Sequence, residues 1–155
     1  HIKKLLLVRK GQRYLSKGNY NLCRIEYLSA MFPDALFIVP VRHPVTHVYS
    51  LVREHRLFNE YSEQDGRVPI CLSAAGHYEF GPQRVPINLS GEGGLRITHA
   101  WERGDEFRGY AIQWAVVYGF VAWLMNNQLE IAKRILVVRY EDFCDNRHQN
   151  EDQEK

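Results

Sequence analysis

Arg42 closes a nearly continuous apolar run, Leu36-Phe37-Ile38-Val39-Pro40-Val41, and is followed by His43 and Pro44. Proline suits the first position of a helix. A guanidinium at that junction stands beside backbone N–H groups without intrahelical acceptors and beside the positive end of a helix dipole. Together these favour an anion. Ser50, on the polar face of the same helix, can add a hydroxyl donor. A plainer arrangement is also open: Arg42 pairs with a carboxylate such as Glu141 or Asp142, and Ser50 is an ordinary surface serine. Two further polar clusters, Lys17-Gly18-Asn19 and Tyr140-Glu141-Asp142, also follow predicted strands. Ligands of open α/β sheets bind outside the carboxyl ends of the strands, where all three clusters fall. His43 and His47 stand four apart, a spacing that suits a metal, but they lack a third ligand, and no metal is expected.

These clusters need elements to carry them. Lys3 to Val8 ends a helix that Gly11 stops, and Arg13-Tyr14-Leu15-Ser16 reads as a short strand. Leu22, Ile25, Leu28 and Phe32 have helical spacing, with Asn19 or Asn21 as cap and Pro33 as terminator. Leu36 to Val41 reads as a parallel strand covered on both faces, in spite of Pro40. Val45, Val48, Tyr49 and Val52 then mark a helix, so Arg13 to about Tyr61 forms a right-handed strand–helix–strand–helix unit. A long helix is predicted from Phe107, with Tyr110, Trp114, Val117, Tyr118, Val121 and Leu124 or Met125 on one stripe. Ile135 to Val138 is another buried strand. Between these, Asp65 to Gly94 holds six of eleven glycines and three of six prolines and reads as irregular.

Composition narrows the function. The 155 residues suit one domain, and 45% apolar with 25% charged side chains is a globular balance. A net charge of +2 and a pI of about 8.5 are too mild for a nucleic-acid binder. Cys23, Cys71 and Cys144 include no C-x-x-C pair, which points away from disulfides and zinc and toward a reducing compartment. No apolar run approaches the roughly 20 residues of a membrane span.

Several segments resemble the central block of sulfotransferases: Lys17-x-Asn19, Arg24-Ile25-x-x-Leu28, Phe32-Pro33-Asp34-Ala35-x-Phe37-Ile38, and Val41-Arg42-His43-Pro44 with Tyr49-Ser50-Leu51. Val138-Arg139-Tyr140-Glu141-Asp142-Phe143 is similar to a late strand of that family, and Trp114 to a residue of its bacterial and carbohydrate-type members. The resemblance implies a three-layer α/β fold with a mostly parallel, P-loop NTPase-like sheet. It also implies transfer of a sulfuryl group from 3′-phosphoadenosine 5′-phosphosulfate (PAPS) to a hydroxyl or amine, without a metal. Arg42 and Ser50 match the pair that holds the 3′-phosphate. Lys17 matches a lysine near the sulfuryl group, where an ammonium stabilises developing charge.

The sequence departs from the family at three points. Ser16 stands where a glutamate is common, Gly18-Asn19 replaces a small hydroxyl and a proline, and the glycine-rich loop for the 5′-phosphosulfate is absent. Arg9-Lys10-Gly11 is similar to a family segment but lies at the opposite end of the chain. With His1 rather than Met in first place, the expectation is an N-terminally incomplete domain that binds PAPS weakly and turns over little. Within Gly76 to Pro82, His77 or Glu79 is the candidate general base for the acceptor, or the segment is a loop with its aromatics packed down. The expected organisation is a sulfotransferase-like domain over 1–144, an irregular acceptor-side insertion over 65–106, and a polar, disordered tail over 145–155. Expected partners are a small-molecule or carbohydrate acceptor and no nucleic acid, with no membrane segment in the chain; oligomeric state is left open. The expected compartment is the cytoplasm, or the Golgi if an upstream anchor exists. Asn88-Leu89-Ser90 is a glycosylation sequon only in a secreted protein. The alternatives are a P-loop-type kinase and a non-catalytic nucleotide- or phosphate-binding module.

Overall fold

Two apolar runs rich in β-branched residues, Phe37–Val41 and Ile135–Arg139, pair in parallel, with Phe37 opposite Ile135 and Val41 opposite Arg139. In chain order the elements are α1 (Ile2–Arg9), a 3₁₀ turn (Asn19–Arg24), α2 (Ile25–Met31), β1 (Phe37–Val41), α3 (Pro44–Gln64) and α4 (Val68–Ala75). Then come α5 (Gly91–Glu102), α6 (Glu106–Asn127), α7 (Leu129–Ala132), β2 (Ile135–Arg139) and α8 (Tyr140–Glu151). This computed structural model describes residues 1–87, 89 and 91–151, with side chains as far as Asp145. Asn88 and Ser90 of the sequon and the last four residues of the tail lie outside the described residues. The backbone of 145–151 belongs to α8.

α6 joins two cores. Its Val121 and Leu124 pack with Ile25 of α2, Val39 of β1 and Ile135 of β2. One end earlier, Tyr110 packs with Val48 and Val52 of α3 and with Ile97 and Trp101 of α5. Each fully buried side chain of this size contributes roughly 1.5–3 kcal/mol. Arg134 fastens α2 to the sheet. Its Nη1 donates to the Pro33 carbonyl at 2.8 Å, and more weakly to those of Ser29 and Phe32 at 3.4 Å, at the C-terminal end of α2. The Arg134 carbonyl accepts from Phe37 N–H at 2.8 Å. That bond also explains Pro40. Phe37, Val39 and Val41 turn their N–H groups to β2, so the nitrogen of Pro40 faces the other edge, where no ladder bond is lost.

Several expectations need correction. Residues 13–16 are not a strand: among the described residues nothing pairs with them, and Tyr14 and Leu15 are exposed. The strand–helix–strand–helix unit starting at Arg13 is therefore absent, and β1 takes β2 as its neighbour. The sheet is covered on one face only, since Ile38 and Leu136, paired across the ladder, both lie in solvent. The described residues form a mixed α/β fold with a two-stranded parallel sheet. Finally, the 65–106 segment contains helices. Pro69 opens α4, Gly76 ends it in the left-handed conformation (φ 77°), and Gly93 and Gly94 are buried in α5. These glycines and prolines mark helix ends and close packing, which composition alone cannot separate from loop. Neither Asn19 nor Asn21 caps a helix.

Two glycines of α6 give a paired test. A Cβ on Gly109 would overlap the indole of Trp101, whereas one on Gly119 meets nothing within 4 Å. Alanine gains about 1 kcal/mol of helix propensity at either position, but overpacking costs about 1–3 kcal/mol and dominates at Gly109. In thermal unfolding, Gly119→Ala should raise Tm by about 2–4 °C. Gly109→Ala should lower it; a Gly109→Ala protein melting no lower than wild type would show that Trp101 is not held there.

Candidate functional site

The parallel ladder brings the carboxyl ends of β1 and β2 side by side, and with them Arg42 and the segment Arg139-Tyr140-Glu141. The half-buried Arg42 guanidinium lies over the Tyr140 ring, 5.3 Å from its centroid. Neither carboxylate offered by the plainer arrangement is bound to it. Glu141 Oε1 accepts from the His43 N–H at 2.8 Å, which holds the Glu141 carboxyl below its ordinary range, and Asp142 lies 3.6 Å from Arg139. The N–H groups of Val45 and Thr46, in the first turn of α3, have no acceptor among the described residues. Ser50 is half-buried and its hydroxyl makes no hydrogen bond there. This end of the sheet thus offers one guanidinium and two free amides to an anion, with Glu141 on the amide just before them.

His47 packs with its ring 6.3 Å from that of Tyr118, whose hydroxyl donates to the Pro40 carbonyl. Burial, and then the Arg42 charge, lower its pKa. Among the described residues, no three His, Cys, Asp or Glu side chains come together at His43 and His47 or elsewhere.

His77 and Glu79 meet at a second place, beside the segment that follows Lys17. Glu79 is buried, and its carboxylate accepts from Asn19 Nδ2 at 3.1 Å and from the Tyr20 hydroxyl at 2.7 Å. Its backbone carbonyl accepts from the Tyr110 hydroxyl at 2.7 Å. Burial and the Glu79 carboxylate push the Tyr20 phenol well above its usual range. His77 stays 41% exposed, with Nδ1 4.0 Å from Glu79 Oε1. Lys17 is exposed, two residues before Asn19. Tyr110 lies against His55, 6.1 Å between rings, and His55 comes about 16 Å along α3 from Pro44 at 1.5 Å per residue. The two groups of site residues therefore stand at different parts of α3.

The sulfotransferase family model matches residues 2–79, half of the chain. The chain belongs to the sulfotransferase family. No curated protein and no solved structure matches it. Within this sulfotransferase-family chain, the matched stretch includes Lys17, Arg42, Ser50, His77 and Glu79, and it ends before α5, α6 and β2. No helix among the described residues is long and apolar enough to cross a membrane.

Sequence reading missed Tyr20, Tyr110, His55 and Arg84. The hydrogen bonds of Tyr20 and Tyr110 to Glu79 link segments about 60 and 30 positions apart, a separation that no local pattern reports. His55 did leave a signal. It continues the Val48, Val52 stripe at i+7, the buried face of α3.

Burial, and then the nearby Arg84 charge, lower the His55 imidazole to about 4, against an ordinary value of 6.5. The unfolded chain therefore binds this proton more readily. The stability gained by keeping His55 neutral is complete above pH 6.5 and is lost as pH falls toward 4. Between pH 7 and 5, above the titration of the carboxyls, this should cost about 2 kcal/mol. Urea unfolding at the two pH values measures it, and His55→Asn should flatten the difference.

Proposed function

We propose that this chain serves sulfuryl transfer from PAPS to a hydroxyl or amine acceptor, with Arg42 and Ser50 holding the 3′-phosphate of the cofactor. The observation that carries the reading is the Arg42 guanidinium, free of any carboxylate partner among the described residues, beside the open amides of α3 within the family-matched stretch. That donor set fits a phosphate: a planar fork, two amides and a hydroxyl. Glu141 sits beside it as a like charge, so a bound phosphate favours displacement of that carboxylate from His43 N–H. When bound, PAPS supplies the sulfuryl group and leaves as adenosine 3′,5′-bisphosphate.

In this reading the residues near Glu79 serve the acceptor. His77 takes the acceptor proton, because its ring is accessible and its Nδ1 lies 4.0 Å from the Glu79 carboxylate. Glu79 itself is enclosed and already accepts two hydrogen bonds, so its part is to position His77 and the 17–20 segment. Lys17 supplies positive charge to the transferred group. A fuller P-loop-like sheet belongs to the same proposal, and the apolar open face at Ile38 and Leu136 supports it, because a further layer would bury that surface.

Calorimetric titration with adenosine 3′,5′-bisphosphate tests the cofactor site. Binding should weaken about tenfold or more for ADP, which lacks the 3′-phosphate, and likewise for Arg42→Ala. Equal affinity for ADP, or an unaffected Arg42→Ala variant, would sink the assignment.

A further inference from the structure

The first 25 residues carry seven lysines and arginines and no aspartate or glutamate, whereas the rest of the chain carries thirteen basic side chains against eighteen acidic ones. The mild net charge of +2 therefore joins a segment of +7 to a remainder of −5. All seven cations of the segment are exposed. Among the described residues none of them has a carboxylate within ion-pair distance. A run of one charge is ordinarily a solvated face, and by itself it points to no partner.

A second observation does. α1 buries none of its side chains. Leu7 and Val8 are 80% and 78% exposed, and Leu15, beyond the end of the helix, is 89% exposed. Ile2 and Leu6 are partly covered, so at 3.6 residues per turn the opposite side of α1, with Lys3, Lys4, Leu7 and Val8, faces outward. On that side Lys3 stands one turn from Leu7 and Lys4 one turn from Val8. Arg9, Lys10 and Arg13 continue the exposed run toward Tyr14 and Leu15. Cations and large apolar side chains thus share one surface.

That mixture selects among anionic partners. A nucleic acid meets cations with phosphates and stacks its bases on aromatic rings, so Leu7, Val8 and Leu15 would stay in water. An anionic bilayer takes both kinds of group. Its headgroups meet the cations, its acyl boundary takes the apolar side chains, and long lysine and arginine stems let the two sit side by side. The same membrane repels the acidic remainder, which orients the segment inward.

We propose that residues 3–15 dock the chain on an anionic phospholipid bilayer, with Leu7, Val8 and Leu15 at the headgroup boundary and Lys3, Lys4, Arg9, Lys10 and Arg13 among the headgroups. The contact is peripheral, because the eight residues of α1 span about 12 Å, less than half of a bilayer's hydrocarbon core. It does not depend on the sulfuryl-transfer reading.

The test is co-sedimentation of the full chain with vesicles of phosphatidylcholine alone and of phosphatidylcholine with about 30% phosphatidylserine. Partitioning should be at least about tenfold stronger onto the second, and should fall about tenfold or more between ~0.1 M and ~0.5 M NaCl. Lys3→Glu with Lys4→Glu should cost about tenfold or more, and Leu7→Ser with Val8→Ser about threefold or more at unchanged charge. All four side chains are exposed, so the circular dichroism of both variants should stay that of wild type. Arg103→Glu with Arg108→Glu makes the same charge change outside the segment and should alter partitioning less than about twofold. A DNA duplex at equal phosphate concentration should not displace the chain from the vesicles. Equal partitioning onto both vesicles, or no loss in the Leu7 and Val8 variant, would overturn the proposal. So would an equal loss in the Arg103 and Arg108 variant, or displacement by the duplex, which would assign the surface to nucleic acid.

Discussion

Parallel pairing of β1 with β2 is the constraint on which the rest of the molecule depends. A parallel neighbour cannot be reached by a tight turn, so the chain must leave the end of β1, cross back and re-enter alongside it. Here the return passes through α3 to α7. Loop closure over that distance costs entropy, and its offset comes from α6, which contributes to both cores. Arg134 secures the near end of the ladder by closing α2. The far end, where both strands finish, is left for chemistry.

The same constraint shapes the candidate anion site. Arg42 and Tyr140 are neighbours because Val41 and Arg139 are ladder partners, and α3 begins two residues after Arg42 because Pro44 permits it. Family membership and this geometry support each other without being the same observation: the family match ends at residue 79, whereas Tyr140 and Glu141 reach Arg42 through the fold.

A second organising point is the enclosed carboxylate of Glu79. It draws in Asn19 and Tyr20, while Tyr110 holds its backbone, so one glutamate ties the N-terminal segment to α6. The aromatic side chains around Tyr110 carry a third consequence, because the Trp101 and Tyr110 rings hold Arg84 at the lip of a cleft whose other wall is α3. Charge taken out of water is stable only when compensated, and the half-buried Arg42 guanidinium has no carboxylate partner among the described residues.

Much was legible in the sequence because it depends on near neighbours. The apolar runs of β1 and β2, Pro44 at the head of α3 and the 3.6-residue stripe of α6 are local patterns, and each forms the element it predicts. Arg42 at a strand end was visible for the same reason. Tertiary structure decided the rest. Whether Arg13 to Ser16 becomes a strand depends on a neighbour to pair with, and whether Glu79 is an exposed base or an enclosed tie depends on Asn19 and Tyr20. Whether glycines between 65 and 106 mark loop or helix depends on what packs against them. Local propensity is a property of a few adjacent residues; strand pairing, burial and compensation of charge are properties of groups brought together from distant parts of the chain.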